Sequence, residues 1–348
     1  MLGLAASRQT SHTPHSGRDL LELLEPIAAV LPRVEEAVAS QVSGFDPRLS
    51  EYIQYILGGT GKRLRPSLAL LAGGATGGIT EEHITLAVIV ELIHIGTLVH
   101  DDVLDEADMR HRLPTSNSRW GNEISVLLGD CLIAHALRLA ASNPTTEVCR
   151  RVSEATTTVC SGEIAQTQRR FDLDLSLDQY LDIISMKTGA LFAVSCELGA
   201  ILNGAPASVV KSVREYATNL GIAYQIYDDC VDIFGQERLA GKSLGTDMKK
   251  GKLTLPFLLL LQHVGLESRE ELGAMILRND QQEQPHLLRL VLGNGVVDES
   301  LAAIDTYIAR AQSNLTALPS NVYVKTLWAL TDYLSGQSRS LLKEAVAA

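Results

Sequence analysis

"ITLAVIVELIHIGTLVHDDVLD", residues 84–105, reads as a helix that is apolar on every side and ends in carboxylates. Thr80, followed by Glu81 and Glu82, supplies an N-cap and two acids where the helix dipole favours them. All-round hydrophobicity predicts a central, buried helix. Five acidic side chains then fall within Asp101 to Asp108, at the C-terminal, negative end of the dipole, where their repulsion is worst. Such crowding implies a cation that the chain itself does not spell out.

Outward from this helix, apolar residues recur at helical spacing over Leu20–Ala37, Leu49–Leu57, Ile124–Ala141, Val148–Gln168, Leu177–Leu202, Val209–Phe234 and Leu253–Leu266. Breaks rich in Gly, Pro, Asn and Ser separate them, as in "GGATGGIT", "RLPTSN" and "NGAPAS". Strand-like alternation is nearly absent, so the expected fold is an all-α helical bundle. The 348 residues, 46% of them hydrophobic, suffice for a large core. One domain over residues 18–348 is expected, after a polar, disordered stretch at 1–17.

A net charge of −11 with no broad basic stripe argues against a nucleic-acid partner. The five cysteines are odd in number, widely spaced and free of a C-x-x-C pair, which predicts a reducing, cytoplasmic setting without disulfides or a zinc site. The N-terminus lacks the apolar centre of a signal peptide. No run of about 18 uncharged apolar residues occurs, so no transmembrane segment is expected.

Within "DDVLD", Asp101 and Asp105 stand at i and i+4 and share a helix face with Asp102. Carboxylate oxygens without His or Cys suit a hard cation such as Mg²⁺, which joins one or two carboxylates to substrate phosphates. For one such motif a solvated acidic helix end explains as much. A second copy, "YQIYDDCVDIFG" with Asp228, Asp229 and Asp232, makes coincidence a poor explanation. Basic groups gather beside loops: Lys62, Arg63 and Arg65 in "GKRLRP", Arg110 and Arg112 in "MRHR", Lys187 in "MKTG", and Lys242, Lys249, Lys250 and Lys252 in "GKSLGTDMKKGKLTLP". Arginine grips phosphate bidentately and lysine as a point charge. Together these residues suggest a site for two polyanionic substrates, one metal-bound and one held by basic side chains.

In this order, "GKRLRP", "ELIH", "DDVLD", "GNEISVLLGD", "GEIAQ", "KTGALFA", "YQIYDDCVD" and "GKSLGTDMKKGKLTLP" closely resemble the trans-isoprenyl diphosphate synthases over about residues 55–256. The resemblance implies an isoprenoid synthase-type bundle with a central cavity and aspartate motifs on two facing helices. It also implies head-to-tail condensation of isopentenyl diphosphate with an allylic diphosphate by ionisation, condensation and elimination. Asp101, Asp102, Asp105, Asp228, Asp229 and Asp232 would hold three Mg²⁺ ions and the allylic diphosphate. Arg110, Lys187, Lys242 and Lys252 would contact that diphosphate, and Lys62, Arg65 and His94 isopentenyl diphosphate. Lys187, Thr188 and Gln225 would shield the allylic cation, and a homodimer is implied. Read from the residues alone, a lone His such as His94 on an apolar helix is more often a core residue.

The chain departs from the family at His111, which stands where a second consecutive arginine normally grips isopentenyl diphosphate. Either Arg112 takes that role or affinity is lower, and a titrating His111 predicts a pH-sensitive Michaelis constant. Chain length is expected to be set before Asp101, where Ile93, Gly96 and Thr97 lie along the tail's path at about 5.4 Å per helical turn. Family members that stop early carry bulky aromatics at the positions of Gly96 and Thr97. A long-chain product is therefore expected, with farnesyl or geranylgeranyl diphosphate as primer. Gly96 as a mere packing contact is the plain alternative. A geranylgeranyl-length synthase and a catalytic subunit of a heteromeric synthase are the competing enzyme readings.

Overall fold

The computed structural model describes residues 20–59, 61–110, 113–235, 245–278, 280 and 282–347, so the expectation for residues 1–17 lies outside it. Helices α1 (Leu20–Leu23), α2 (Leu31–Ser40) and α3 (Ser50–Leu57) lead into α4 (Leu64–Thr76) and the long α5 (Glu81–Leu104). A two-residue antiparallel pair, Met109–Arg110 with Leu113–Pro114, follows α5. Next come α6 (Ser116–Trp120), α7 (Asn122–Ala141), α8 (Thr146–Gln168), α9 (Leu177–Ile184), α10 (Ala190–Ile201) and α11 (Ala207–Phe234). The chain closes with α12 (Thr246–Lys249), α13 (Leu255–His263), α14 (Leu266–Arg278), α15 (Gln284–Gly293), α16 (Val296–Leu315) and α17 (Val322–Ala347). The fold is all-α, as the helical spacing predicts.

α5 is the buried helix its composition predicts. It packs on α2, α4 and α7, while α10 fills the space between α4, α8 and α11, and α16 covers α11. Leu86 to Val90, Leu92 and Ile93 are buried along its body. Its start is fixed by a residue outside the expected acids. The backbone N–H of Thr80 donates to His83 Nδ1 at 3.1 Å, and His83 Nε2 reaches the carbonyl of Gly199 in α10 at 3.0 Å. The capping pair thus also ties α5 to its neighbour.

α9 runs into α10 through one π-helical turn, Ser185–Gly189, in which the N–H of Ala190 bonds the carbonyl of Ser185. A π turn absorbs one extra residue and rotates everything beyond it.

The expectation that no segment is apolar enough to cross a membrane is corrected by length and composition. Three helical stretches qualify: Glu81–Leu104, Asn122–Ala141 and the joined Leu177–Ile201, with mean hydropathies of 1.6, 1.6 and 1.3. Single acids such as Glu91 and Glu197 interrupt the runs without making them polar. The first and third place 72% and 78% of their apolar window inside the bundle, whereas the second buries 39%.

Candidate active site

The last turn of α5 carries Asp101 and Asp102, and Asp105 caps it. Asp102 is buried, and its Oδ1 accepts from Arg110 Nε at 2.9 Å and Nη2 at 2.8 Å. Burial alone would lower the Arg110 pKa, yet the bonded Asp102 raises it, so the guanidinium stays charged. Asp105 Oδ2 meets Lys252 Nζ at 2.6 Å and its Oδ1 meets Arg170 Nη2 at 3.2 Å. Burial pushes the Asp101 carboxyl up, opposed by Lys187, whose Nζ stands 4.0 Å away.

Lys187 is held in place by the motif "GEIAQ". Its ammonium pairs with Glu163 and donates to Gln166 Oε1 at 3.0 Å, two residues one turn apart on α8. Burial works against the charge of Lys187, but Asp101 and Glu163 raise its pKa above the ordinary lysine range. Gly162 makes the approach possible: a Cβ there would lie 2.7 Å from the Lys187 backbone nitrogen.

On α11 the second motif is anchored from within. Asp229 Oδ1 accepts from Gln225 Nε2 at 2.8 Å, and its Oδ2 accepts from the Tyr180 hydroxyl at 2.5 Å. Gln225 Oε1 in turn accepts from Thr188 Oγ1 at 2.6 Å. Burial, with Asp247 nearby, pushes the Asp229 carboxyl up to about 8. Asp232 accepts from the Thr246 N–H and hydroxyl and from the Asp247 N–H at 3.1 to 3.3 Å, so it pins the start of α12. Asp228 lies within electrostatic reach of Arg110, across the gap from α5.

These carboxylates fit Mg²⁺ by donor chemistry. Among the described residues no three acidic, His or Cys groups form a ready-made cage. Mg²⁺ does not require one, because it binds through one or two carboxylates, waters and substrate phosphates. Asp102 and Asp105 are each already compensated by cationic side chains, and the raised pKa values of Asp101 and Asp229 mark carboxylates that added positive charge would stabilise in ionised form.

On the other side, Arg65 Nη1 lies 2.9 Å from His94 Nε2, and its guanidinium covers the Phe192 ring at 4.9 Å. An arginine only donates, so His94 accepts through Nε2 and carries its proton on Nδ1. Among the described residues the buried Nε of Arg65 has no hydrogen-bond partner, a donor suited to an incoming phosphate oxygen. Lys62 is exposed at the rim of a crevice lined by Leu64, Tyr224 and Tyr227. Between Lys62 and Arg65, Arg63 takes a left-handed backbone (φ 49°) and turns inward, bonding Glu91 Oε1 at 2.6 Å and Glu35 Oε1 at 2.7 Å. His111, Arg112 and Lys242 lie outside the described residues.

Of the three chain-length candidates, Ile93 and Thr97 lie two turns and one turn below Asp101 on the same helix face. Ile93 is fully buried, and Thr97 is half-buried with its hydroxyl bonded to the His94 carbonyl. Gly96 faces elsewhere. A Cβ on it would lie 2.9 Å from Ile133 Cγ1 and 3.2 Å from the Gly129 carbonyl oxygen, so its smallness lets α5 close on α7. Its Cβ direction points at the neighbouring helix, which is the packing contact expected under the plain alternative.

Glu91, Glu163, Gln166, Arg170 and Tyr180 were not among the expected site residues. Glu91 had a readable signal, a lone acid inside "IVELIH" on a helix otherwise apolar. Glu163 and Gln166 lie in a recognised motif without an evident task. Arg170 and Tyr180 carry no signal, because their partners are remote in sequence.

Comparison with known proteins agrees with this layout. The family model for polyprenyl synthetase matches residues 46–291. Octaprenyl diphosphate synthase of Escherichia coli (strain K12) is 34% identical over 274 residues, 79% of this chain and 84% of that protein. Heptaprenyl diphosphate synthase component 2 of Bacillus subtilis (strain 168) is 32% identical over 301 residues, 86% of each. The crystal structure of polyprenyl synthase from Caulobacter crescentus CB15, complexed with calcium and isoprenyl diphosphate, superposes with a TM-score of 0.87 at 30% identity, covering 93% of this chain and 99% of that one.

Proposed function

The chain belongs to the polyprenyl synthetase family and is a prenyltransferase, and we propose that it extends farnesyl or geranylgeranyl diphosphate with isopentenyl diphosphate to a long all-trans polyprenyl diphosphate. What supports this reading is one arrangement: carboxylates bridged by Arg110, Lys187 and Lys252 at the mouth, Arg65 and His94 beside them, and an apolar helix running away beneath. At about 1.5 Å per residue, α5 extends about 30 Å below Asp101, and a product of about C30 to C45 follows by analogy with the family.

Bound Mg²⁺, three ions by analogy with the family, would neutralise charge on the allylic diphosphate and polarise its bond to carbon. The chain's own groups do the rest. Arg110, Lys187 and Lys252 stabilise the charge that develops on the departing diphosphate. Arg65 and His94, with Lys62, hold isopentenyl diphosphate so that its double bond meets the allylic carbon. Thr188 and Gln225, fixed by their mutual hydrogen bond, place oxygen dipoles near the allylic cation. The released diphosphate takes the proton lost in elimination. Ile93 and Thr97 line the tail.

We assign a homodimer, because α7 and α8 expose Ile124, Val126, Leu127 and Ile164, and a cytoplasmic location, because all five cysteines are free. A catalytic subunit of a heteromeric synthase is the second reading, favoured by the likeness to a heptaprenyl synthase component. The test incubates the purified chain with Mg²⁺, isopentenyl diphosphate and either primer, and sizes the dephosphorylated products by mass spectrometry. A ladder ending at a long chain supports the proposal, and a C20 end point removes its long-chain part. No product alone, with activity restored by a second subunit, favours the heteromeric reading.

A further inference from the structure

Tyr180 lies in neither aspartate motif, yet it holds one of them. Its ring is buried on α9, and its hydroxyl donates to Asp229 Oδ2 at 2.5 Å across 49 residues of sequence. The other carboxylate oxygen takes the Gln225 amide, and Gln225 is held by Thr188. Asp229 is therefore gripped on both oxygens, and both grips trace back to the α9–α10 rod. The backbone of Leu255, at the start of α13, lies close to the Tyr180 hydroxyl.

The π turn explains how one rod makes both contacts. In a regular α-helix, residues 180 and 188 would be rotated by about 80° from one another; with one residue absorbed in the π turn the offset falls to about 20°. Tyr180 and Thr188 thus point the same way, toward α11. Without such a grip Asp229 would be free to turn away, since the neighbouring carboxylates of Asp228 and Asp247 repel it.

We propose that Tyr180 is a positioning residue for the second aspartate motif, fixing Asp229 in the rotamer that receives the metal-bound diphosphate. The proposal rests on the Mg²⁺–diphosphate reading above. Partners that orient metal-site carboxylates are commonly worth about 10- to 100-fold in affinity.

The test is calorimetric titration of the full chain with inorganic pyrophosphate in the presence of Mg²⁺, for wild type, Tyr180→Phe, Asp229→Asn and the double variant. Tyr180→Phe is expected to weaken binding about tenfold while leaving KM for isopentenyl diphosphate within about twofold, since Lys62 and Arg65 are untouched. In the Asp229→Asn background the same change should add little, because the two side chains act as one unit. Wild-type affinity in Tyr180→Phe, or an equal loss in both backgrounds, overturns the positioning role. A purely structural tyrosine would lower Tm without this coupling. If the wild type itself shows no Mg²⁺-dependent pyrophosphate binding, the metal–diphosphate reading falls, and the proposal with it.

Discussion

Lys252 and Asp105, 147 residues apart in sequence, meet at 2.6 Å. The lysine is buried, and its ammonium also lies 3.8 Å from Asp247, which is positioned by Asp232 of the second motif. One cation thus links the two aspartate motifs through the segment that follows α11. A diphosphate entering between them would compete with these carboxylates for Lys252. Lys252→Met is expected to lower kcat about 100-fold, the size of effect seen when one donor to developing negative charge is removed. Steady-state kinetics at saturating Mg²⁺ check this, and an unchanged kcat would make the contact purely structural.

The Arg63–Glu91 pair should govern the isopentenyl diphosphate side. Both side chains are nearly buried, and Arg63 takes the left-handed backbone between Lys62 and Arg65. Glu91→Gln leaves Arg63 the half-exposed Glu35 as its one charged partner among the described residues, beside the Gly59 carbonyl. We expect a loss of about 3 kcal/mol in urea unfolding, at the low end for breaking a buried pair. KM for isopentenyl diphosphate should rise more than kcat falls. Intact stability would show that Glu35 compensates fully.

Thr97 and Gly96 should separate by readout. Thr97→Phe places an aromatic ring one turn beneath Asp101 and is expected to shorten the main product by mass spectrometry. Gly96→Ala pushes a methyl into Ile133 and the Gly129 carbonyl. It should cost about 1–3 kcal/mol as overpacking with the product spectrum unchanged. Shortening by Gly96→Ala alone would return that residue to the tail's path.

His83 predicts how stability depends on pH. Burial lowers its pKa below the ordinary histidine value of 6.5. The unfolded chain therefore binds the proton more readily. Its contribution is fully present above pH 6.5 and is lost as pH falls below that value. The urea midpoint should drop between pH 7.5 and 5.5, and drop less in His83→Gln, whose amide can keep both hydrogen bonds. Equal drops in the two proteins would place the sensitivity elsewhere.

The helical class, the burial of α5 and the two acidic clusters were legible because they rest on local patterns: apolar spacing, caps and D-D-x-x-D repeats. The basic groups were legible as types. Which carboxylate each one meets was not, since Lys252–Asp105, Arg170–Asp105 and Lys187–Glu163 all join residues from segments remote in sequence. Gly96 illustrates the limit most directly. Counting back from Asp101 places it near the tail, but its Cβ direction depends on how α5 is rotated against α7.

The sequence by itself determined a bundle of amphipathic and buried helices with two carboxylate clusters, because periodicity and residue chemistry act over one or two helical turns. Only the tertiary structure decided that Tyr180 grips Asp229, that "GEIAQ" cradles Lys187, and that Glu91 steadies the "GKRLRP" turn. Those contacts depend on helix rotation and on one π turn, and helix rotation is set by close packing of many side chains at once.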